Sequence, residues 1–364
     1  MLNIKKVGLL ALAASACLQA ACSESEYSQA QETVADEVAR VPASNFDLSH
    51  WSITMPLDLD GNERADTIDV AEIQTYSHPD FFYLDENDRI VFTSPNKATT
   101  SPTSTNTRSE LRYHHSLVSG TSTGSSSSGR NFALAAHEDA DQYASIGGKM
   151  EATLQVDHVS LNAGHPNKPP AYSVVIGQIH AAGHDDKTEG FGYGNEPLKI
   201  FYKKWPHHEN GSVFWAYERN LPTDDPNRTD IAYVVWGNNW DDPADPGDRG
   251  VALGEVFSYT VNVHQNTMYL VFESESKGTV RHEINLADNV DANGNVDSAD
   301  HPLGYAGDPL YFKAGTYNQC SASAQESWRY PACPGTGDWE TDQADGNFAR
   351  STFHRLVVSE STPM

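Results

Sequence analysis

The sequence predicts an all-β fold of antiparallel sheets, a sandwich or jelly roll. Three observations predict it: apolar and polar residues alternate with period two along many short runs, turn residues separate those runs, and helical periodicity is almost absent. Met150, Ala152, Leu154 and Val156 alternate with Glu151, Thr153, Gln155 and Asp157, which puts one set on each face of a strand. The same pattern runs through AYSVVIGQIH, LKIFYKKW, SVFWAYE, VFSYTVNV and TMYLVFES. Residues 70–76 are the best candidate for a short helix, and SGTSTGSSSSG, residues 119–129, reads as a flexible loop by composition.

The chain opens MLNIKKVGLLALAASACLQAAC: Lys5 and Lys6, an apolar stretch, then small residues. That is the layout of an export signal. The expected organisation is a signal over 1–21, a disordered acidic tether over 22–44, and one domain over 45–364 that begins at FDLSHWSITMP. Cys17 and Cys22 both follow small residues, and Cys22, just ahead of the tether, is the better site for a lipid. The expectation is a monomer, secreted or carried as an outer-membrane lipoprotein of a Gram-negative bacterium. No later segment has the roughly 18 continuous apolar residues that span a bilayer, so a lipid on Cys22 is the one expected membrane contact. Of four cysteines, Cys320 and Cys333 lie outside this leader, and an oxidising compartment predicts a disulfide between them. Net charge is −26, and loss of Lys5 and Lys6 with the signal lowers it by two. Such acidity argues against a nucleic-acid partner.

Three strands carry polar groups where a core strand would not. TRSELRYHH sets Arg108, Glu110 and Arg112 on one face; VVIGQIHA sets Gln178 beside His180; YFKAGTYNQ aligns Tyr311, Lys313, Gly315, Tyr317 and Gln319. Singly, each has a plain structural explanation: a cross-strand ion-pair ladder, a satisfied polar pair, a solvated face. Together they supply a cationic fork, an amide, an imidazole and phenols, an inventory suited to removing a proton next to a carboxylate. Arg and Gln donors stabilise the enolate-like dianion, a His or Tyr takes the proton, and a Tyr protonates the leaving oxygen. A glycoside hydrolase needs two carboxylates flanking the bond, whereas Glu110 is the one acid in these strands. A carbohydrate-binding sandwich without activity would have no need of His180 and Tyr317 together.

R-S-E-L-R, Q-I-H and Y-F-K-A-G-T-Y-N-Q, in this order, resemble the signature segments of the polysaccharide lyase family 7 alginate lyases, and the likeness extends from FDLSHWSITMP to the C-terminus. The resemblance implies a β-jelly roll sandwich with a concave substrate groove, which needs no cofactor or metal and cleaves the 1,4-bonds of alginate by β-elimination. It assigns Arg108 and Gln178 to neutralising the uronate carboxylate and His180 and Tyr317 to the protons. Arg112, Lys313 and Gln319 would bind neighbouring sugars, and Glu110 would orient the arginines. Lys199, Lys203 and Tyr311 join the expected substrate contacts, because an acidic chain needs a local basic lining to hold a polyanion. Tyr202, Trp205, Trp215 and Tyr217 are candidates to stack on sugars or to fill the core. In guluronate the C5 proton and C4 oxygen lie on opposite sides, which calls for two groups such as His180 and Tyr317; in mannuronate they share a side and one Tyr suffices. Ile179 in the middle of Q-I-H goes, by family tendency, with guluronate-containing substrates. The alternatives are a non-catalytic polyuronate-binding module or a lyase acting on another polyuronate. Residues 289–300, NVDANGNVDSAD, approach the spacing of a calcium loop, but no helices flank them and an acidic surface turn is the expected use.

Overall fold

Alternation of the kind seen in MEATLQVD buries one face of each strand, so the strands pair into sheets that stack on their apolar sides. The computed structural model describes residues 40–116, 128–183, 191–322 and 331–364. The signal, residues 22–39 of the tether and most of the glycine-serine loop therefore lie outside the described residues. Residues 41–364 form one compact unit.

The first sheet runs, in spatial order, β12 (Asp230–Trp236), β11 (Asn210–Glu218), β10 (Leu198–Lys203), β9 (Ser173–Ala181), β17 (Leu310–Ser321), β5 (Asn106–Tyr113), β1 (Trp51–Thr54) and β2 (Thr67–Ile68). Short strands β6 (Phe132–Ala133), β7 (Ser145–Ile146) and β13 (Val251–Ala252) join its margins. The second sheet runs β16 (Gly278–Asn285), β15 (Thr267–Ser274), β14 (Phe257–His264), β8 (Gly148–His158), β18 (Phe348–Ser359), β4 (Ile90–Pro95) and β3 (Phe82–Leu84). Apart from the β6–β7 pair, the pairings are antiparallel. This is the expected jelly-roll sandwich, with its core between the sheets: Met150, Leu154, Ile176, Tyr202, Trp215, Tyr259 and Phe312 are buried there.

Helix is scarce, as the missing 3.6-residue period requires. The segment at 70–76 makes a single 3-10 turn, Glu72–Thr75. A six-residue helix α1 (Trp339–Ala344), too short for its periodicity to register, is held by the Asp338 side chain, which accepts the Thr341 amide at 3.0 Å. Cys320 and Cys333 are disulfide-bonded, and the tie fastens the end of β17 to the chain that follows.

Register decides what the first sheet presents away from the core. Lys313 pairs with Arg112 on one side and Gln178 on the other, Tyr311 with His180, and Tyr317 with Arg108. All these side chains consequently share the outer face. The shift between Ala314 and Tyr317 centres on Gly315, at φ +140. A Cβ there would meet Ser109 O at 2.6 Å and Glu110 Cα at 2.9 Å, so only glycine lets β5 and β17 approach at this point.

Candidate active site

Glu110 is the hub of the outer face. Its side chain is 1% exposed, and β5, β17 and β9 each bring it a partner: Arg108 Nη1 at 3.2 Å, Lys313 Nζ in a close ion pair, and Gln178 Nε2, which donates to Oε1. Burial alone would raise this carboxyl, but Lys313 and Arg108 outweigh it and hold it below the usual carboxylate range. Burial, with Arg108 beside it, brings the Lys313 ammonium down to about 8.

Tyr317 lies beneath Arg108, whose Cζ is 3.9 Å from the ring centroid. Ser104 Oγ accepts from Arg108 Nη2 at 2.9 Å and stands 3.5 Å from the Tyr317 hydroxyl. At the other end of β17, Tyr311 stacks between the Arg112 guanidinium, 4.1 Å from its centroid, and His180, at 5.2 Å and 16°. The His180 Nδ1–H donates to Ala181 O at 2.6 Å, which leaves Nε2 as the base nitrogen. Burial, then Lys313 and Arg108, lower the imidazole to about 3, so it rests neutral.

Two buried polar atoms of this cluster have no partner: Arg108 Nε, a donor, and Gln178 Oε1, an acceptor. Native proteins rarely leave such groups unpaired. Arg108 Nε suits a carboxylate, whereas Gln178 Oε1 suits a hydroxyl or a protonated carboxyl. The second amide hydrogen of Gln178 is the part of that side chain able to meet a carboxylate.

Several of the expected sugar contacts have partners within the protein. Lys199 is on the outer face but 2% exposed, 2.8 Å from Asp230, 3.4 Å from Glu196 and 3.6 Å from Glu218. A lone buried ammonium is costly, and these acids satisfy it. Lys203 donates to the carbonyls of Pro169 at 2.5 Å and Trp240 at 2.7 Å, and burial lowers it to about 7. Gln319, 1% exposed, turns its amide back to Tyr317 O at 3.3 Å. Glu110 orients Arg108 but not Arg112, which is held by His114 Nδ1 and Asn131 Oδ1, each at 3.1 Å. Tyr202, Trp215 and Tyr217 are core, while Trp205 lies under the Lys203 ammonium at 4.7 Å.

The turn at 289–300 uses its acids internally. Asp291 Oδ1 accepts the amides of Asn293 and Asn295, Asp297 pairs with Arg219 at 2.6 Å, and Asp300 takes the Tyr217 hydroxyl and the Asn220 amide. Among the described residues no cluster of three or more His, Cys, Asp or Glu could hold a metal ion.

One acid went unread in the sequence. Glu196, two residues before β10, has Oε1 3.4 Å from His180 Nε2. The signal was present in register, since Leu198 pairs with Ile179 and the chain just before Leu198 falls beside His180. It became usable only once that pairing was known. Burial would raise Glu196, but Lys199, a hydrogen bond from Glu218 and Arg228 lower it to about 2. With Glu110 and Glu196 both held as anions, neither carboxyl serves as the general acid of a hydrolase.

Cations and an unpartnered guanidinium nitrogen, flanked by an imidazole and a phenol on a jelly-roll face, define a polysaccharide lyase. A family model described as alginate lyase matches residues 46–360. An alginate lyase of Klebsiella pneumoniae is 33% identical over 289 residues, which cover 76% of this chain and 84% of that protein. The crystal structure of the alginate lyase from Klebsiella pneumoniae superposes with a TM-score of 0.66 at 28% identity, covering 88% of this chain and 99% of that one. The exolytic family 7 alginate lyase of Zobellia galactanivorans superposes at 0.68 and 30% identity, over 89% and 99%. The chain belongs to the polysaccharide lyase family 7 alginate lyases.

Proposed function

We propose that this lyase cleaves alginate without a metal, by β-elimination at guluronate. The observation that carries this reading is the buried, unpartnered Arg108 Nε beside Lys313 and Gln178, with His180 and Tyr317 on either side along the same face. Arg108 and Gln178 meet the uronate carboxylate, where charge builds as the C5 proton leaves, and these donors replace a metal as its electrostatic stabiliser. His180 Nε2 takes the C5 proton. The electron pair forms the C4–C5 double bond as the C4–O bond breaks, and the Tyr317 hydroxyl protonates the departing oxygen. Two groups for the two protons fit guluronate, where these atoms lie on opposite sides, and Ile179 in Q-I-H agrees. Arg112, Lys313 and Tyr311 hold the neighbouring sugars. The Cys320–Cys333 bridge agrees with export.

The test is ultraviolet absorbance of new unsaturated ends on polyguluronate and polymannuronate, each with and without EDTA. A faster rise on polyguluronate that EDTA leaves unchanged is expected. A rise abolished by EDTA and restored by a divalent cation would remove the metal-free step, and a binding module would leave both polymers intact.

A specific observation also favours action from a chain end. Beyond β9 the outer face is closed: Phe201 and Phe214 are 1% and 0% exposed, and Trp240 packs edge-on to both at 5.9 and 6.1 Å. Lys199, Glu196, Glu218 and Asp230 fill the rest of that side. A polymer crossing the sheet would stop there, and the 30% identical relative of Zobellia galactanivorans is itself exolytic. Short products from the outset, with polymer viscosity falling slowly, are expected; a rapid fall in viscosity would overturn this mode.

A further inference from the structure

Among the described residues, the strongest group of side chains that neither the motifs nor the proposed mechanism uses is the ion network behind His180. Glu196 is fixed at three points of its backbone surroundings. The Ala181 amide donates to Asn195 O at 2.8 Å, the Glu196 amide donates to Glu218 Oε2 at 3.0 Å, and the Glu218 amide donates to Glu196 O at 3.2 Å. Its side chain spans two groups, with Oε1 3.4 Å from His180 Nε2 and Oε2 3.4 Å from Lys199 Nζ. Glu196 and His180 are 16% and 21% exposed, so solvent screens the contact only in part.

The cations around the imidazole work against protonation. Lys313 on β17 and Arg108 on β5 face it and disfavour the imidazolium, Glu110 favours it from behind them, and Tyr311 covers one face of the ring. A base in that setting needs a fixed negative partner to carry the charge that it gains with the proton. Glu196 supplies one at the nitrogen that gains it. Lys199, Arg228 and Glu218 keep the carboxylate ionised and in place, so it need not reorganise during the reaction.

Building on the elimination reading, we propose that Glu196 is the positioning residue for the protonated His180: the Ala181 carbonyl fixes the resting ring through Nδ1–H, and Glu196 stabilises and orients the imidazolium formed when Nε2 takes the C5 proton of guluronate. Glu196 itself takes no proton. The proton on Nε2 returns to solvent after product leaves, and Tyr317 regains its own. The role is specific to the guluronate reaction, because on mannuronate Tyr317 alone can serve both protons.

The experiment compares wild type, Glu196→Gln, Glu196→Asp and His180→Asn on polyguluronate and polymannuronate separately, reading kcat and KM from unsaturated ends. Glu196→Gln is expected to lower kcat on polyguluronate about 10- to 100-fold with KM steady, as removal of such supporting partners does. The loss on polymannuronate is expected to be much smaller, Glu196→Asp recovers part of the rate, and His180→Asn shows the same substrate bias more strongly. The 15N shifts of the His180 ring report the Nδ1–H tautomer in both proteins, and the ring takes up its second proton at lower pH in Glu196→Gln than in wild type. Equal losses on both polymers, a change confined to KM, an unaltered titration of the ring, or activity of the wild type on polymannuronate alone would each overturn the assignment. A wild type that makes no unsaturated ends on either polymer would overturn the elimination reading on which it rests.

Discussion

The two halves of the outer face hold nearly the same kinds of residue and use them in opposite ways. Over β10 and β11, Lys199, Lys203, Glu218 and Ser212 are buried among partners from their own side of the molecule. Over β5, β9 and β17, Gln178 and Lys313 are as deeply placed and Arg108 nearly so, yet Arg108 Nε and Gln178 Oε1 have no partner. Charge composition therefore does not locate the site. What sets the site apart is that its unpartnered atoms belong to a guanidinium and an amide beside a base and a phenol, where a bound uronate would complete them.

The sharpest way to break this contrast is Tyr317→Phe. On the open half, loss of one hydroxyl is expected to slow elimination by on the order of 1,000-fold on either polymer. Thermal stability should barely change, because the nearest partner of that hydroxyl is Ser104 at 3.5 Å. Retained turnover would move the acid to another residue. On the closed half the effect inverts. Lys199→Met leaves Glu196, Glu218 and Asp230 without their shared cation and is expected to cost about 3–5 kcal/mol in chemical denaturation, with the KM for polymer nearly unchanged. A KM effect at full stability would return Lys199 to the sugar contacts. Replacing both Cys320 and Cys333 by Ser opens a closed loop with a sequence separation of 13 and is expected to cost about 3 kcal/mol. An unchanged denaturation midpoint would show that the tie does not constrain the unfolded chain.

The smallest expected effect is a null. Burial, Lys313 and Arg108 lower His180 to about 3, so the ring is already a neutral base throughout the ordinary imidazole range. kcat/KM on polyguluronate should pass through pH 6.5, the unperturbed value, without an inflection from this group; an inflection there that His180→Asn removes would refute it. The linkage has a definite sign. The unfolded chain binds a proton on this histidine at a pH where the folded one does not, so its contribution is complete above about 6.5 and declines as pH falls toward 3.

Most of the fold was legible because strand periodicity is local: MEATLQVD and TMYLVFES are strands with the faces that alternation assigned, and LKIFYK is a strand buried on both faces. The cluster around Arg108, Glu110, Gln178, His180, Lys313 and Tyr317 was legible for the same reason, since each motif shows its own face within a few residues. What could not be read was non-local. Whether Lys199 meets a sugar or three acids depends on how β10, β11 and β12 lie side by side, and the Glu196–His180 contact depends on the register of β9 with β10. The helix α1 was missed on length alone, and Gln319 because alternation gives a face and not a rotamer.

Glu110 draws one atom from each of three strands that lie far apart in the chain, and Gly315 permits that approach. Slippage of β17 by one residue would send Lys313 into the core and strand a buried anion. The same carboxylate that arranges the site thus inspects the assembly of the sheet, so a molecule whose central strands are paired in the wrong register loses stability and activity together.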